Sequence, residues 1–234
     1  MLITNSFSRN LRIVVAPILS KIGIVITDGT IINLQGDRDI EWSWVASQIP
    51  QINFGRALDF GCGPSYMGLV AARKGFDVIG VDIQVLKIPY VHKNFKFING
   101  DVLDQFSSEQ FDLIINSSSI EHVGLRGRYG ESVNKPDGDL DVMWKLQNLL
   151  KKGGLMLLTI PVGQDTVFYP LNRVYGRIRF PQLTRGYNIE KEEYWAKDRQ
   201  NRWILSSKEN ALNFHAKWDS NEKVYALGLF VLRK

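Results

Sequence analysis

The stretch RALDFGCGPSYMGLVAARKGFDVIGVDIQ, Arg56 to Gln84, decides the fold of this chain. It opens with a short apolar run that ends in a glycine turn at Gly61, and it continues with a segment of helical spacing closed by Gly75. A second apolar run then ends at Asp82. This order of strand, turn, helix and strand is typical of a βαβ unit, in which a helix joins two parallel strands.

The same alternation continues beyond this unit. Apolar runs predict strands at FKFING, FDLIINSS and KKGGLMLLTIPV, with a helix at DLDVMWKLQNLL before the last of them. Further on, YNIEKEEYWA predicts a strand and SSKENALNFHA a helix capped by Ser206 or Ser207. KVYALGLFVLRK predicts a final strand, antiparallel to its neighbour and at or near the sheet edge. The fold class is therefore α/β, with a mainly parallel sheet.

Length and composition fit one such domain. The 234 residues suffice for a sizeable core, and we predict an N-terminal extension over residues 1–54 and the sheet domain over 55–234. Cys62 is the one cysteine, which excludes an intrachain disulfide and fits the reducing cytoplasm. The net charge of +5 permits an acidic partner without requiring one. Residues 11–26 are apolar but shorter than the ~20 residues of a membrane span, so we predict no transmembrane segment. A packed helix or strand is the preferred prediction for them, and a membrane-surface segment is the alternative.

The glycine turn after the first strand indicates a nucleotide-like ligand. Gly61 and Gly63 stand where a ligand approaches the backbone closely and side chains would obstruct it. A dinucleotide fingerprint needs a third glycine where this chain has Tyr66, and it has no use for the carboxylate of Asp59 beside a pyrophosphate. That carboxylate suits the ammonium group of S-adenosylmethionine. An oxidoreductase that binds NAD(P) remains the alternative.

Two more acids favour an adenosine ligand. Asp82 ends the second strand, where its carboxylate can accept hydrogen bonds from both ribose hydroxyls, the alternative being a turn cap. Asp101 follows the third strand and can accept from the adenine amino group, while the N–H of Val102 can reach a ring nitrogen. A helix N-cap is the alternative role for Asp101.

The loop after the fourth strand, Asn116 to Asp139, is expected to face the reactive end of that ligand. Glu121 and His122 are adjacent in it, and histidine, with an ordinary pKa of about 6.5, suits a general base at neutral pH. Packing of the loop is the alternative role for this pair. No second histidine or carboxylate lies at a recognisable ligand spacing, so we predict no metal site.

An arginine-rich segment, NRVYGRIRFPQLTR, suggests a place for the acceptor substrate. It holds four arginines and no acidic residue, with aromatic residues between them, which suits a phosphate, a carboxylate or a sugar ring. RNA offers the same groups, but the charge is too dispersed to make it the preferred partner. A connector whose arginines pair with distant acids is the alternative. The residues predicted to contact substrate are Arg128, Tyr129, Arg173, Tyr175 and Arg177.

Five motifs occur in a family order: DFGCGP, VIGVDI, FINGDVLD, FDLIINSSSIEHV and LLKKGGLMLLTIP. Together they resemble the class I S-adenosylmethionine-dependent methyltransferases, and SSIEHVGLRGRYGE with NRVYGRIRFPQL resembles the narrower domain-of-unknown-function 268 group. The resemblance implies a Rossmann-like doubly wound sheet of seven strands, in the order 3-2-1-4-5-7-6 with strand 7 antiparallel. It also implies S-adenosylmethionine as the cofactor, with the binding residues Asp59, Gly61, Gly63, Asp82, Ile83, Asp101, Val102 and Asn116.

From residues and resemblance together we predict a cytoplasmic methyltransferase that acts on an oxygen of a small-molecule or glycan-like acceptor. A second alternative, besides the oxidoreductase, is a cofactor-binding protein without transfer activity. It stays open because methyl transfer has no obligatory catalytic side chain that a sequence can lack.

Overall fold

The computed structural model describes residues 37–107, 110–127, 129, 133–198, 200, 202–218 and 223–234. Within them the helices are α1 (Asp37–Gln48), α2 (Met67–Arg73), α3 (Val102–Gln105), α4 (Gly138–Leu149), α5 (Arg179–Leu183) and α6 (Lys208–Leu212), with a 3₁₀ turn at Ile120–His122. The strands are β1 (Gly55–Phe60), β2 (Phe76–Asp82), β3 (Phe95–Asn99), β4 (Phe111–Ser117), β5 (Leu150–Val162), β6 (Thr166–Phe168), β7 (Asn172–Val174), β8 (Asn188–Lys197), β9 (Trp203–Ser206), β10 (Lys217–Trp218), β11 (Lys223–Val224) and β12 (Ala226–Arg233).

One eight-stranded sheet, in the order β3-β2-β1-β4-β5-β12-β8-β9, forms the centre of the molecule. Strands β1 to β5 are parallel, while β12 is antiparallel to both β5 and β8. Among the described residues, β6 pairs with β7 and β10 with β11 in small separate ribbons. The carboxyl ends of the parallel strands therefore meet along one edge of the sheet, where ligands of such folds bind.

Helices cover both faces of the sheet because its central strands are apolar on both sides. In β4, Ile114 packs in the layer that contains Met143 of α4. Its neighbour Ile115 faces the opposite layer, with Trp44 of α1 and Met67 of α2. At the end of the α2 connection Gly75 has a φ of +100°, and a Cβ there would lie 2.1 Å from the carbonyl oxygen of Ile52. Glycine is therefore needed to close this helix.

The predicted α/β class and the parallel sheet are confirmed, and the strand order is confirmed in part. In position, β12 and β8 match strands 7 and 6 of the predicted order, and β9 adds an eighth strand beyond them. The prediction that the final strand lies at or near the edge was wrong. β12 lies between β5 and β8, and seven of its eight residues are buried. An interior strand packs on both faces, which explains its continuous apolar sequence.

Two smaller predictions concern strand and helix ends. The expected glycine turn before the fifth strand is an irregularity within β5, where the pairing with β4 shifts and Gly153 has a φ of +77°. Ser207 caps α6, since its side chain accepts a hydrogen bond from the Asn210 N–H at 3.2 Å. This confirms one of the two predicted capping serines.

The described part of the predicted N-terminal extension is α1 and the linker that follows it. α1 packs on the sheet through Trp44 and Val45, which lie in one apolar layer with Ala57 of β1 and Ala71 of α2. Residues 11–26, with the prediction made for them, lie outside the described part. None of the helices in the described part has the length and hydropathy needed to cross a bilayer.

Candidate active site

A cavity of about 330 Å³ opens at the carboxyl ends of the parallel strands. Its wall comes from the loop after β1, the end of β2, the start of α3, the loop after β4, and α1. This is the volume of a small-molecule site, for which roughly 300–1,000 Å³ is usual. The predicted cofactor residues in its wall are Asp59, Gly61, Gly63, Asp82, Ile83, Asp101 and Val102.

The glycine turn packs tightly against the loop after β4. Gly61 and Gly63 have φ values of +59° and +50°, a region that other residues rarely adopt. A Cβ on Gly61 would lie 2.5 Å from Ser119 Oγ, whose hydroxyl donates to the Gly61 carbonyl at 3.0 Å. The turn therefore needs glycine at Gly61 for space as well as for backbone conformation.

Asp59 is a buried carboxylate on the cavity wall, 3% exposed. Its Oδ2 atom has no hydrogen-bond partner among the described residues. Burial raises the pKa of Asp59 to about 7, an effect that the Gly68 amide opposes and the charge of Asp82 reinforces. A buried acceptor without a donor is costly, so this oxygen fits a ligand that brings a positively charged N–H group.

Asp82 is held in place by two backbone amides. Its Oδ2 accepts from the Gly63 N–H at 3.0 Å, and its Oδ1 accepts from the Gln84 N–H at 2.9 Å. Each carboxylate oxygen has a second lone pair, so the group can still accept from two hydroxyls of a ligand. The turn-cap alternative and the ribose prediction are therefore compatible.

Asp101 and Val102 lie at the start of α3, next to the cavity. Asp101 caps the helix by accepting from the Leu103 N–H at 2.9 Å, which is the alternative role expected for it.

Asn116 is placed differently from the other predicted cofactor residues. It is fully buried and absent from the cavity wall, and its amide points to Met143 Sδ at 3.6 Å. Side chains alternate along a strand, which turns Asn116 into the α4 layer while Ser117 lines the cavity.

The predicted catalytic pair lies in the 3₁₀ turn after β4. His122 is on the cavity wall and its Nδ1 is 2.7 Å from the Leu171 carbonyl, so in the neutral ring Nδ1 carries the proton and donates. Glu121 is buried behind it, with Oε1 3.6 Å from His122 Nε2. The Tyr129 ring lies 5.6 Å from the His122 ring and also lines the cavity. The structure thus brings three predicted site residues together.

The remaining predicted substrate residues lie elsewhere, and Arg173 and Tyr175 are buried outside the cavity wall. Arg173 is buried and donates to the carbonyl oxygens of Val123, Lys135 and Pro136. Tyr175 is fully buried and its hydroxyl donates to Asp139 Oδ2 at 3.0 Å.

Arg177 pairs on the surface with Glu209 at 2.6 Å, outside the cavity wall. The segment is thus the connector with distant acids that formed the alternative interpretation. Arg128 lies outside the described residues.

Helix α1 supplies cavity residues that sequence reasoning missed. Arg38 and Trp42 line the cavity, one turn apart on the helix. Glu41, on the same helix, is fully buried just behind the wall and binds Ser118, which lines it. The sequence shows an amphipathic segment before the first strand. That pattern does not indicate which part of the sheet the segment covers.

This fold is shared by S-adenosylmethionine-dependent methyltransferases. A SAM-dependent methyltransferase from Archaeoglobus fulgidus has a TM-score of 0.57 at 15% identity, over 84% of this chain and 94% of that one. The 1,6-didemethyltoxoflavin-N1-methyltransferase of Burkholderia thailandensis, solved with S-adenosylhomocysteine, has a TM-score of 0.54 at 12% identity, over 99% and 93% of the two chains. The predicted fold of this superfamily is confirmed.

Sequence comparison narrows the assignment to a family. The ubiquinone biosynthesis O-methyltransferase of Roseobacter denitrificans is 30% identical over 111 residues, which are 44% of this chain and 39% of that protein. The match therefore spans well under half of the curated relative. The family described as "Caenorhabditis protein of unknown function, DUF268" matches residues 69–233. That is more than half of the chain, and the chain belongs to this family, as predicted.

Proposed function

We propose that the chain is an S-adenosylmethionine-dependent methyltransferase that acts on an oxygen of a small-molecule or glycan-like acceptor. The observation that carries the proposal is the pairing of Asp59 with the glycine turn at one cavity. A buried acceptor atom without a donor lies beside a backbone turn that leaves room for a ligand. The methyltransferase fold and the named O-methyltransferase relative support it.

The residues of the cavity fit this cofactor from end to end. Asp59 would accept from the ammonium group, beside the glycine turn that makes room for the methionine part. Asp82, already oriented by two amides, would accept from the ribose hydroxyls. Asp101 and Val102 would bind the adenine at the start of α3. The bound cofactor supplies an electrophilic methyl group on a positively charged sulfur, and an acidic cavity favours that charge.

The same residues fit a nicotinamide dinucleotide poorly. A pyrophosphate beside Asp59 would place like charges together in a buried site. Tyr66, at the third fingerprint position, is half exposed and its ring lies 5.9 Å from that of Tyr90, so a bulky side chain stands where the dinucleotide fingerprint has its third glycine.

The acceptor would enter between α1 and the loop after β4. Trp42 and Tyr129 offer ring faces there, and Arg38 offers a guanidinium. His122 lies on the cavity wall beside Tyr129 and would orient the acceptor hydroxyl. Alignment of the two reactants supplies much of the acceleration in such a displacement. The glycan-like preference has lost Arg173 and Tyr175 as support and now rests on these cavity rings.

Calorimetric titration with S-adenosylhomocysteine, with NAD and NADP run in parallel, tests the cofactor assignment. We expect micromolar binding of S-adenosylhomocysteine alone. Asp82→Ala should weaken it at least ~100-fold, because two charge-assisted hydrogen bonds at roughly 1.5–3 kcal/mol each are lost. Asp77→Ala, at an exposed position of the same strand, is the matched control. Binding of a dinucleotide instead would overturn the proposal.

The acceptor is tested separately, by product formation from S-adenosylmethionine with sugars, phenols and amines. Transfer to hydroxyl compounds is expected, whereas transfer to RNA or protein alone contradicts the acceptor class. Tight cofactor binding without turnover on any acceptor supports the alternative of a binding protein without transfer activity.

A further inference from the structure

A buried carboxylate stands behind the cavity wall, where the acceptor is proposed to bind. Glu41 of α1 is fully buried, and two hydroxyls donate to its Oε1 atom. One belongs to Thr159 of β5, at 2.7 Å, and the other to Ser118. Its Oε2 atom has no hydrogen-bond partner among the described residues, and Arg38 Nη1 lies 3.6 Å from it.

Ser118 connects this carboxylate to the cavity. It lines the cavity, while its hydroxyl donates inward to Glu41. The residue has a φ of +47°, a strained backbone conformation for a residue other than glycine. Its amide donates to the Thr159 carbonyl at 3.0 Å, which holds the backbone in this conformation. Such strain is typical of a position that the surrounding structure fixes for a purpose.

The electrostatics around Glu41 are unusual for a helix residue. Burial raises the pKa of Glu41 to about 7, against the opposing effect of Arg38 and with a further rise from Asp37. The hydrogen bonds from Ser118 and Thr159 lower it. The other groups in electrostatic contact with this cluster are Glu121 from the 3₁₀ turn and Tyr225 next to β12. A carboxylate that titrates near neutral pH can take a proton and return it to solvent.

We propose that Ser118 and Glu41 form a proton relay that deprotonates the acceptor hydroxyl during methyl transfer. The inference rests on the proposed function and deepens it. As the acceptor oxygen forms its bond to the methyl carbon, the methyl–sulfur bond breaks and its electron pair stays on sulfur. The acceptor proton passes to Ser118 Oγ, and the Ser118 proton passes to Glu41 Oε1. Charge and atoms balance, with Glu41 neutral at the end. His122 then orients the acceptor and is not the final base.

The first test is the pH profile of methyl transfer to catechol, a hydroxyl probe. In the wild-type protein the rate should rise with pH, with a midpoint near 7. Glu41→Gln should remove this midpoint and lower the plateau rate about 10²–10⁴-fold, the usual contribution of general base catalysis. Ser118→Gly should do the same, because glycine adopts the positive φ and removes the side chain that carries the hydroxyl. Thr159→Val removes a hydrogen bond to the same oxygen and should move the midpoint to higher pH.

A second probe separates proton transfer from structural damage. 4-Nitrothiophenol is ionised at neutral pH and needs no base. Glu41→Gln and Ser118→Gly should therefore lose much less rate with this probe than with catechol. If both variants lose the two reactions to the same extent, Glu41 only anchors α1 and the relay is refuted. Loss of the pH midpoint in His122→Asn, with retention in Glu41→Gln, also refutes it.

A third measurement needs no acceptor. Infrared titration of the free protein should show a carboxylic acid signal that disappears near pH 7 and is absent from Glu41→Gln. The background for this titration is Asp59→Asn, because the pKa of Asp59 is also raised to about 7. Absence of the signal overturns the relay. Absence of S-adenosylhomocysteine binding, by contrast, overturns the proposed function itself, so the two failures are distinguishable.

Discussion

Replacing Asp139 by alanine tests whether the arginine-rich segment is structural. Asp139 lies in the first turn of α4 and is fully buried. Its carboxylate accepts from Tyr175 Oη at 3.0 Å and from Arg179 Nε at 2.9 Å, and Arg173 Nε lies 3.6 Å away. One carboxylate thus holds three side chains of the segment that follows β6 against the first turn of α4.

The size of the effect follows from these contacts. Asp139→Ala leaves the buried Arg173 and the buried Tyr175 hydroxyl without their shared partner, and breaking a buried charge pair costs about 3–5 kcal/mol. For a domain of this size, each kcal/mol lowers Tm by roughly 2–4 °C, so we expect a decrease of about 6–20 °C. Arg173→Met should lower Tm comparably, because it removes the donor to three backbone carbonyls.

Thermal unfolding followed by circular dichroism measures this directly. Arg177→Ala is the matched control, since Arg177 lies in the same segment but pairs with an exposed glutamate. Its Tm should not change measurably. An Asp139→Ala protein that melts with the wild-type protein would refute the reasoning. So would an Arg173→Met protein that keeps its Tm and loses acceptor binding, since Arg173 would then serve the substrate.

Three further outcomes are expected. Gly61→Ala should abolish S-adenosylhomocysteine binding in calorimetry, because a Cβ there would lie 2.5 Å from Ser119 Oγ. Gly63→Ala should cost only about 1–2 kcal/mol of stability, because a Cβ there would lie 4.0 Å from the Gly61 carbonyl oxygen and the cost comes from the positive φ. Affinity for S-adenosylhomocysteine should rise with pH through about 7 as Asp59 ionises, and Asp59→Asn should remove this dependence; an unchanged profile contradicts the assigned ammonium contact. In urea titrations the free energy of unfolding of the free protein should fall as pH rises from about 4 to about 7. The reason is that Asp59 and Glu41 bind protons more tightly in the folded protein than in the unfolded chain. The double variant Asp59→Asn, Glu41→Gln should show a flatter dependence on pH.

Most of the residues predicted to bind the cofactor line one cavity, because they are close together in the sequence. Asp59, Gly61, Gly63 and Asp82 lie within one βαβ unit, and the geometry of that unit places all four at one strand end. The order of strand, turn and helix in the chain therefore determines their meeting. Within the unit, the alternation of side chains along each strand decides which acids reach the cavity.

The acceptor half could not be predicted because distant parts of the chain build it. Glu41 and Ser118 are 77 residues apart, and no pattern in α1 indicates that its buried face covers the loop after β4. Arg173 and Tyr175, predicted to contact substrate, are instead buried away from the cavity. The alternation of arginine and aromatic residues in this segment suits a ligand. Their partner Asp139 lies more than thirty residues earlier, so the segment alone does not show that Arg173 and Tyr175 are buried. Likewise β12 follows a ribbon at the end of the chain and still enters the sheet interior, because sheet order is a tertiary property.

The two buried carboxylates, Asp59 and Glu41, lower the stability of the folded protein but suit the proposed reaction. The pKa of Asp59 rises from 3.8 to about 7 and that of Glu41 from 4.5 to about 7, so keeping both ionised in the folded protein costs about 3–4 kcal/mol each at pH above 7. A neutral, well-packed residue at either position removes that cost. Binding of a cationic ligand would offset this free-energy cost at Asp59, and a proton from the acceptor would offset it at Glu41. Both acids are thus stabilised by steps of the proposed reaction, which is the relation expected if they serve catalysis.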